Sequence, residues 1–310
     1  MNLTDTPHDR RRFLHLAGVF SAGALLAGCG GGEEGGDDIA APSPAAISAP
    51  IVVTGSHVLN LALNLAYLGA QFYGHAASGA GLPGDLTGGI GMAGAVSGAR
   101  AASFQDPMIA GYAAELAVDK QAHVVALRRQ IGTAAAAQPA MDLSGTGGGA
   151  FAVAAQGAGI VAAGAAFDPY ASDGNFLLGA LLVENAVAAA YRTLTVKGDE
   201  ESAAIVAEHL ADSIYHGGLI RTLLDDRAAS DASIDRAVVG TTTLLAKLDG
   251  TDMGDQTLAG AVGVSSNLFD ADGRPIPFTR DTAQVLKGLY LSTSGVGGFL
   301  PRGANGIAVV

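Results

Sequence analysis

The spacing of apolar residues predicts four long helices, at about residues 54–77, 106–131, 173–194 and 199–226. Within each of them apolar side chains recur three or four positions apart and so share one helix face. Asp106 followed by Pro107 is typical of a helix start, and Gly132 is typical of a helix end. The pattern therefore predicts an all-α protein whose helices bury these apolar faces against one another.

The segments outside the four helices carry weaker signals. Residues 132–172 are rich in Ala and Gly, and they are long enough to cross a bundle from end to end. Weaker patterns predict further helices over about 231–248 and 281–291, with loops at 78–104 and 251–280. The sequence thus predicts two helical hairpins joined by a long crossover and followed by a C-terminal extension.

Three ionisable residues lie in the middle of otherwise apolar helical stripes: His123, Glu184 and His216. A face that is apolar on both sides of an ionisable group points that group into the core. Burying such a group is costly unless it is paired or bound to a metal. Helical bundles build metal sites from side chains on facing helices. These three residues are therefore candidate metal ligands.

Composition narrows the choice of partners. The chain has 310 residues and a formal net charge of -12, which argues against nucleic acid and against polybasic binding to a membrane surface. Its single cysteine, Cys29, excludes a disulfide within the chain.

The N-terminus has the features of an export signal. The pair Arg10–Arg11, followed by Phe13 and Leu14, resembles a twin-arginine signal. The apolar run that follows is too short to span a bilayer. It ends in the motif LAGC at Cys29, which resembles the lipobox of bacterial lipoproteins, where the cysteine is lipidated and becomes the new N-terminus. The alternative is an ordinary secretory signal with an incidental cysteine.

This interpretation divides the chain into a signal peptide (1–28), a flexible tether (29–50) and a folded domain (51–310). The mature protein is expected on the periplasmic side of a bacterial membrane, attached through the lipid on Cys29. Because Gly30 rather than Asp follows the cysteine, the expected site in a two-membrane cell is the outer membrane. The sequence does not identify a protein partner. It is compatible with assembly of the protein into a homo-oligomer.

Several segments resemble a known family, the ferritin-like proteins that include the plant desiccation-related proteins. The resemblance is carried by residues 59–73, 114–132, 167–191, 211–224 and the C-terminal stretches FTRDTAQVLKGLYL and GGFLPRGANG. It implies a ferritin-like four-helix bundle with a long crossover.

The same resemblance implies where metal ligands would lie. Ferritin-like di-iron proteins use one Glu from each of two helices and a Glu-x-x-His pair from each of the other two. Three of the six corresponding positions here keep a ligand, namely His123, Glu184 and His216. The other three have lost their carboxylates and hold Ala66, Lys120 and Ser213. One Glu cannot supply the bridging carboxylates that two divalent ions require.

Two interpretations of this centre follow from the residues. In the first, the core is a relic in which Lys120 replaces the charge of the metal and pairs with Glu184. In the second, His123, Glu184 and His216 hold one zinc or iron(II) ion with open positions. The first interpretation leads, because Lys120 lies on the same stripe as His123 and a cation there repels a metal ion.

A third interpretation shifts the register by one residue. The pairs Asp119–His123 and Asp212–His216, each with i,i+4 spacing, then define the inward face. In every case His209 is expected to be solvated, one turn or more from the site.

The leading expectation is an exported ferritin-like lipoprotein with a degenerate di-iron site, non-catalytic, without a cofactor and related to stress or desiccation as its plant relatives are named. The alternative is a mononuclear metal-binding protein or metal-dependent oxidase that holds one iron or zinc ion.

The N-terminal motifs predict that the mature protein begins at a lipidated Cys29. Mass spectrometry of protein extracted from membranes should show a diacylated or triacylated N-terminal cysteine. A soluble product that retains residues 1–28 would contradict this prediction.

Overall fold

The computed structural model describes residues 55–250, 281–293 and 295–307. The proposed signal, the tether, Cys29 and the loop at 251–280 lie outside the described residues. The helices of the described part are Gly55–Ser78 (α1), Pro107–Ile131 (α2), Ala150–Gly157 (α3), Asp173–Lys197 (α4), Glu200–Ala228 (α5), Ser233–Asp249 (α6) and Thr282–Tyr290 (α7). The four long helices predicted from the sequence are confirmed to within one turn at each end.

Side-chain caps set the starts of three long helices. Asp106, Ser172 and Asp199, the residues immediately before α2, α4 and α5, each accept a hydrogen bond from a backbone N–H of the first turn. This satisfies one of the backbone donors that a helix start leaves without an intrahelical partner. Gly132 ends α2 with a φ of 65°, a conformation that glycine adopts readily.

The long helices pack as two hairpins, α1 with α2 and α4 with α5, and α1 also contacts α4 and α5. Residues 132–172 connect the hairpins, as in the predicted crossover. Helix α4 is long and apolar enough to cross a membrane by length and composition, and 72% of its most apolar window is buried inside the bundle. A core helix of a bundle has this composition because it is covered on most sides.

The crossover is more ordered than the sequence predicts. It contains α3 and the two-residue strand Met141–Asp142 (β2), which pairs in parallel with Val96–Ser97 (β1). These extended segments approach closely because glycine lines one of them: a Cβ on Gly94 would lie 2.0 Å from the backbone N of Ala140. The spacing of apolar residues does not predict such close approaches of two backbone segments, because they depend on the absence of a side chain.

Aromatic residues join the crossover to the bundle and to the C-terminal segment. The ring of Phe151 on α3 lies 5.2 Å from that of Phe72 on α1 and 5.1 Å from that of Phe299. Asn64 on α1 and Asn305 exchange two hydrogen bonds, with donor–acceptor distances of 2.8 and 3.0 Å. The C-terminal extension is therefore part of the fold and holds α1 against the crossover.

Candidate functional site

The residues singled out from the sequence are all buried inside the bundle. They are Ala66 on α1, Lys120 and His123 on α2, Glu184 on α4, and Ser213 and His216 on α5. Four helices thus contribute to one polar core, as their apolar stripes predict.

An ion pair occupies the middle of this core. The Nζ atom of Lys120 donates to Oε2 of Glu184 at 2.7 Å and lies 3.4 Å from Oγ of Ser213. The side chains of Lys120 and Glu184 are 1% and 0% exposed. The predicted contact between them is confirmed. Of the six positions that correspond to di-iron ligands, only Glu184 still carries a carboxylate, and the ammonium group of Lys120 lies beside it.

Small residues on α1 make room for the lysine. A Cβ on Gly69 would lie 3.1 Å from Cδ of Lys120 and 3.4 Å from its Cγ, so the methylene stem passes directly over the glycine backbone. Ala66 lies one turn earlier on the same helix, at the position where the family resemblance implies a glutamate. A larger side chain at residue 69 would have to displace a stem that is fixed at its far end by Glu184.

Two histidine–aspartate pairs bridge α2 and α5 in a reciprocal arrangement. The Nε2 atom of His123 lies 3.0 Å from Oδ2 of Asp212, and Nε2 of His216 lies 3.0 Å from Oδ2 of Asp119. Both histidines are buried, whereas the side chains of Asp119 and Asp212 are 41% and 59% exposed. The shifted register is therefore wrong: each aspartate lies on the rim and pairs across to the other helix, while Lys120 faces the core.

These hydrogen bonds assign the tautomer of both histidines. An aspartate can only accept, so Nε2 of a neutral imidazole carries the proton and Nδ1 carries the lone pair. Nδ1 of His123 and Nδ1 of His216 are buried and have no hydrogen-bond partner among the described residues, and Oε1 of Glu184 shares this state.

A third histidine belongs to the same cluster. His209 on α5 is 5% exposed, its ring lies 4.7 Å from that of His123, and its Nδ1 donates to the carbonyl of Ile205 at 2.9 Å. The expectation that His209 is solvated is wrong. Its spacing of four residues from Ser213, on the stripe that also holds His216, was the signal that placed it inside.

Burial keeps two groups of this core, His123 and Tyr73, in their neutral forms. Burial first, and then the charge of Lys120, lower the pKa of His123 to about 4, against the opposing hydrogen bond to Asp212. Burial raises the pKa of Tyr73 well above its ordinary value, and the Glu184 carboxylate that its hydroxyl faces adds to this shift. The polar core at neutral pH therefore contains one ion pair beside the neutral imidazole of His123 and the neutral phenol of Tyr73.

The model of the ferritin-like domain matches residues 55–226, which span α1 to α5 up to Asp226. The chain belongs to the ferritin-like domain family. No curated protein and no solved structure matches it. Helices α6 and α7, with the C-terminal segment, extend this ferritin-like protein beyond the matched range.

A two-metal centre does not fit this ferritin-like core. Its bridging positions lack carboxylates, and the ammonium of Lys120 lies at hydrogen-bond distance from the one that remains. A single ion would find free lone pairs on His123 and His216, each oriented by a carboxylate on its other nitrogen, as is usual for metal-bound histidine. However, no three His, Cys, Asp or Glu side chains in the described part of the chain are grouped as metal ligands.

We expect Lys120→Met to lower the free energy of unfolding by about 3–5 kcal/mol, because it leaves the Glu184 carboxylate buried without a cation. Lys120→Met combined with Glu184→Gln should recover much of this loss, since neither charge remains. Urea unfolding of the wild type, both single variants and the double variant measures the coupling. Lys247→Met, at an exposed lysine on α6, is the matched control and should change stability little. A stable Lys120→Met single variant would contradict the buried pair.

The depressed pKa of His123 predicts a loss of stability in acid. Between the ordinary pKa of 6.5 and the folded value of about 4 the unfolded chain binds a proton that the folded chain excludes. The contribution is therefore complete above pH 6.5 and falls as the pH drops towards 4, by about 3 kcal/mol in total. His123→Asn should flatten the dependence of unfolding free energy on pH in this window. Equal slopes for variant and wild type would show that His123 does not titrate in this way.

Proposed function

We propose that this protein is an exported, lipid-anchored member of the ferritin-like family in which a fixed ion pair has replaced the metal centre. Its role is non-catalytic, and it serves the cell under stress such as drying. The observation that carries the proposal is the 2.7 Å contact between Nζ of Lys120 and Oε2 of Glu184 in the middle of the bundle.

A buried ion pair of this kind can replace a metal as the counter-charge of a buried carboxylate. A carboxylate that is withdrawn from water needs a counter-charge, and in a di-metal protein the ions supply it. Here Lys120 supplies it from α2 while Glu184 comes from α4, so the charge is balanced within the chain. The bundle can then fold and persist without a metal, and with Ala66, Lys120 and Ser213 in place of carboxylates it has too few ligands to bridge the pair of ions that would activate oxygen.

Export to the outside of the cytoplasm and protection against drying are supported by different observations. Export and lipid attachment are supported by Arg10–Arg11 and by the LAGC motif at Cys29. The link to drying is supported only by the resemblance of the helical segments to desiccation-related proteins.

A second candidate function is a mononuclear metal protein that uses His123, Glu184 and His216. The unpartnered Nδ1 atoms of both histidines and the unpartnered Oε1 of Glu184 favour it. The ammonium of Lys120 opposes it, because a cation so close repels a second positive charge.

Metal analysis and a survival assay distinguish the two candidates. The wild-type protein, purified without chelators, should contain far less than one transition-metal ion per chain. Cells that produce the Lys120→Met and Glu184→Gln double variant should survive drying as well as cells with the wild type, because the fold rather than a metal provides the protection. A content of about one ion per chain that is lost in His123→Ala or His216→Ala would establish the mononuclear alternative.

A variant that rebuilds the ligand set tests the mapping itself. Ala66→Glu, Lys120→Glu and Ser213→Glu together restore six ligands at the positions that the family resemblance implies. Iron bound by this triple variant, and not by the wild type, would show that the ion pair stands where the metals would lie.

A further inference from the structure

The outward faces of α2 and α5 are unusually apolar. Five of the eleven large apolar side chains exposed in the described residues lie there, at Met108, Val118, Val125, Ile214 and Tyr215. Val118 and Ile214 are 70% and 61% exposed. Single exposed apolar residues are ordinary on a protein surface, but a group of them on two neighbouring helices indicates an interaction surface. We call this surface, with the polar residues between the two helices, the α2–α5 face.

The α2–α5 face is also acidic between Pro107 and Leu127 and between Glu200 and Ile220, with the exposed Arg129 one turn beyond Val125. Glu115 and Asp119 on α2 and Glu208 and Asp212 on α5 all reach solvent. From Pro107 to Leu127 the only Lys or Arg is the buried Lys120, and from Glu200 to Ile220 there is none. This surface therefore combines negative charge with exposed apolar side chains, and a complementary partner would combine positive charge with apolar ones.

Apart from Arg10–Arg12 and the apolar run after them, which the proposed export signal would remove, the rest of this chain does not have that chemistry. A second copy would bring the same negative surface, and a formal net charge of -12 opposes such a pairing. Residues 29–54 contain four acidic residues and no Lys or Arg, and residues 251–280 contain four Asp against two Arg. By charge, the occupant that fits is a different molecule.

The shape of the face favours a helix. Tyr215 on α5 donates to Glu115 on α2 at 3.3 Å, and the two histidine–aspartate bonds join the same helices, so α2 and α5 run side by side along a seam of side-chain contacts. Exposed small residues such as Gly111, Ala122 and Ala211 let another backbone approach. An amphipathic helix laid along such a seam places its apolar residues at three- and four-residue spacing on the exposed valine and isoleucine. We propose that the α2–α5 face binds a basic amphipathic helix of another protein.

Binding at this face would change the hydrogen bonds of two histidines in the core. The carboxylates of Asp119 and Asp212 that a basic partner would meet are the same ones that accept hydrogen bonds from the buried His216 and His123. A lysine or arginine that pairs with either aspartate shares its oxygens with the imidazole N–H. The ¹⁵N and ¹H shifts of the two Nε2–H groups therefore report on occupancy of the face.

The proposal is tested with a synthetic probe, a helix of Lys and Leu with the leucines on one side, long enough to run from Met108 to Val125. The protein is the proposed mature chain, residues 29–310, carrying Cys29→Ser, so that neither the lipid nor the basic and apolar residues 1–28 are present. The probe should bind with an affinity that weakens as salt is raised, and it should shift the Nε2–H resonances of His123 and His216. A peptide of the same composition with shuffled leucines should bind about ten-fold more weakly, since it lacks the apolar side.

Matched surface variants test whether the probe binds at the α2–α5 face or anywhere on the acidic surface of the protein. Val118→Ser with Ile214→Ser should weaken binding about ten-fold, whereas Val196→Ser with Val239→Ser, on α4 and α6, should leave it unchanged. All four positions are exposed, and equal melting temperatures will show that the variants fold.

Neutralising Glu115 and Glu208 with glutamine should make the affinity for the probe less dependent on salt. Neutralising Asp85 and Asp231 with asparagine, at exposed positions outside α2 and α5, should not. Equal effects of the Val118–Ile214 and Val196–Val239 double variants, or no binding at physiological salt, would overturn the proposal. So would sedimentation data that show a dimer of this chain lost in the Val118 and Ile214 double variant, since the occupant would then be a second copy.

Discussion

The Lys120–Glu184 ion pair is the constraint on which the rest of this bundle depends. Both charges are withdrawn almost completely from water, so each is tolerated only while the other stays within reach. Because one comes from α2 and the other from α4, the pair fixes the register between the two helical hairpins. Gly69 on α1 lies beneath the stem of this lysine and Oγ of Ser213 on α5 lies 3.4 Å from its Nζ, so all four long helices meet at one side chain.

A second set of polar contacts connects this core to the surface. The two aspartates that orient His123 and His216 are partly in solvent, while the imidazoles they hold are buried. The two bonds run in opposite directions across the seam between α2 and α5, so the helices hold each other through an approximately symmetric pair of bridges. A change at the rim is therefore transmitted through one hydrogen bond to groups that touch the centre.

The sequence predicted the helices and the buried positions because both follow from periodicity. Lys120, Glu184 and His216 were placed inside by the apolar residues on either side of them, and the structure agrees. Periodicity gives the face of a helix, but not the partner on another helix. For this reason the i,i+4 spacing of Asp119 and His123 looked like one site, although each residue bonds across to α5.

The crossover shows a different limit of sequence patterns. Its short strand and α3 depend on backbone segments that touch where side chains are missing, as at Gly94, and an Ala- and Gly-rich sequence gives little periodicity to recognise. His209 was misjudged for a third reason. A histidine on a helix is usually half-solvated, and that expectation outweighed its place on the stripe of Ser213 and His216. In the structure its ring is buried against His123 and Tyr191.

The contact between Gly69 and the stem of Lys120 has a consequence for how this sequence can evolve. With a Cβ at residue 69 only 3.1 Å from Cδ of the lysine and 3.4 Å from its Cγ, residue 69 can grow only if the lysine stem shifts. A residue at position 120 that lacks these two carbons would free space beside the glycine, and larger residues at position 69 would then become acceptable. Once residue 69 had grown, a lysine stem would have to displace it, so the order of the two substitutions decides which pairs of residues can be reached.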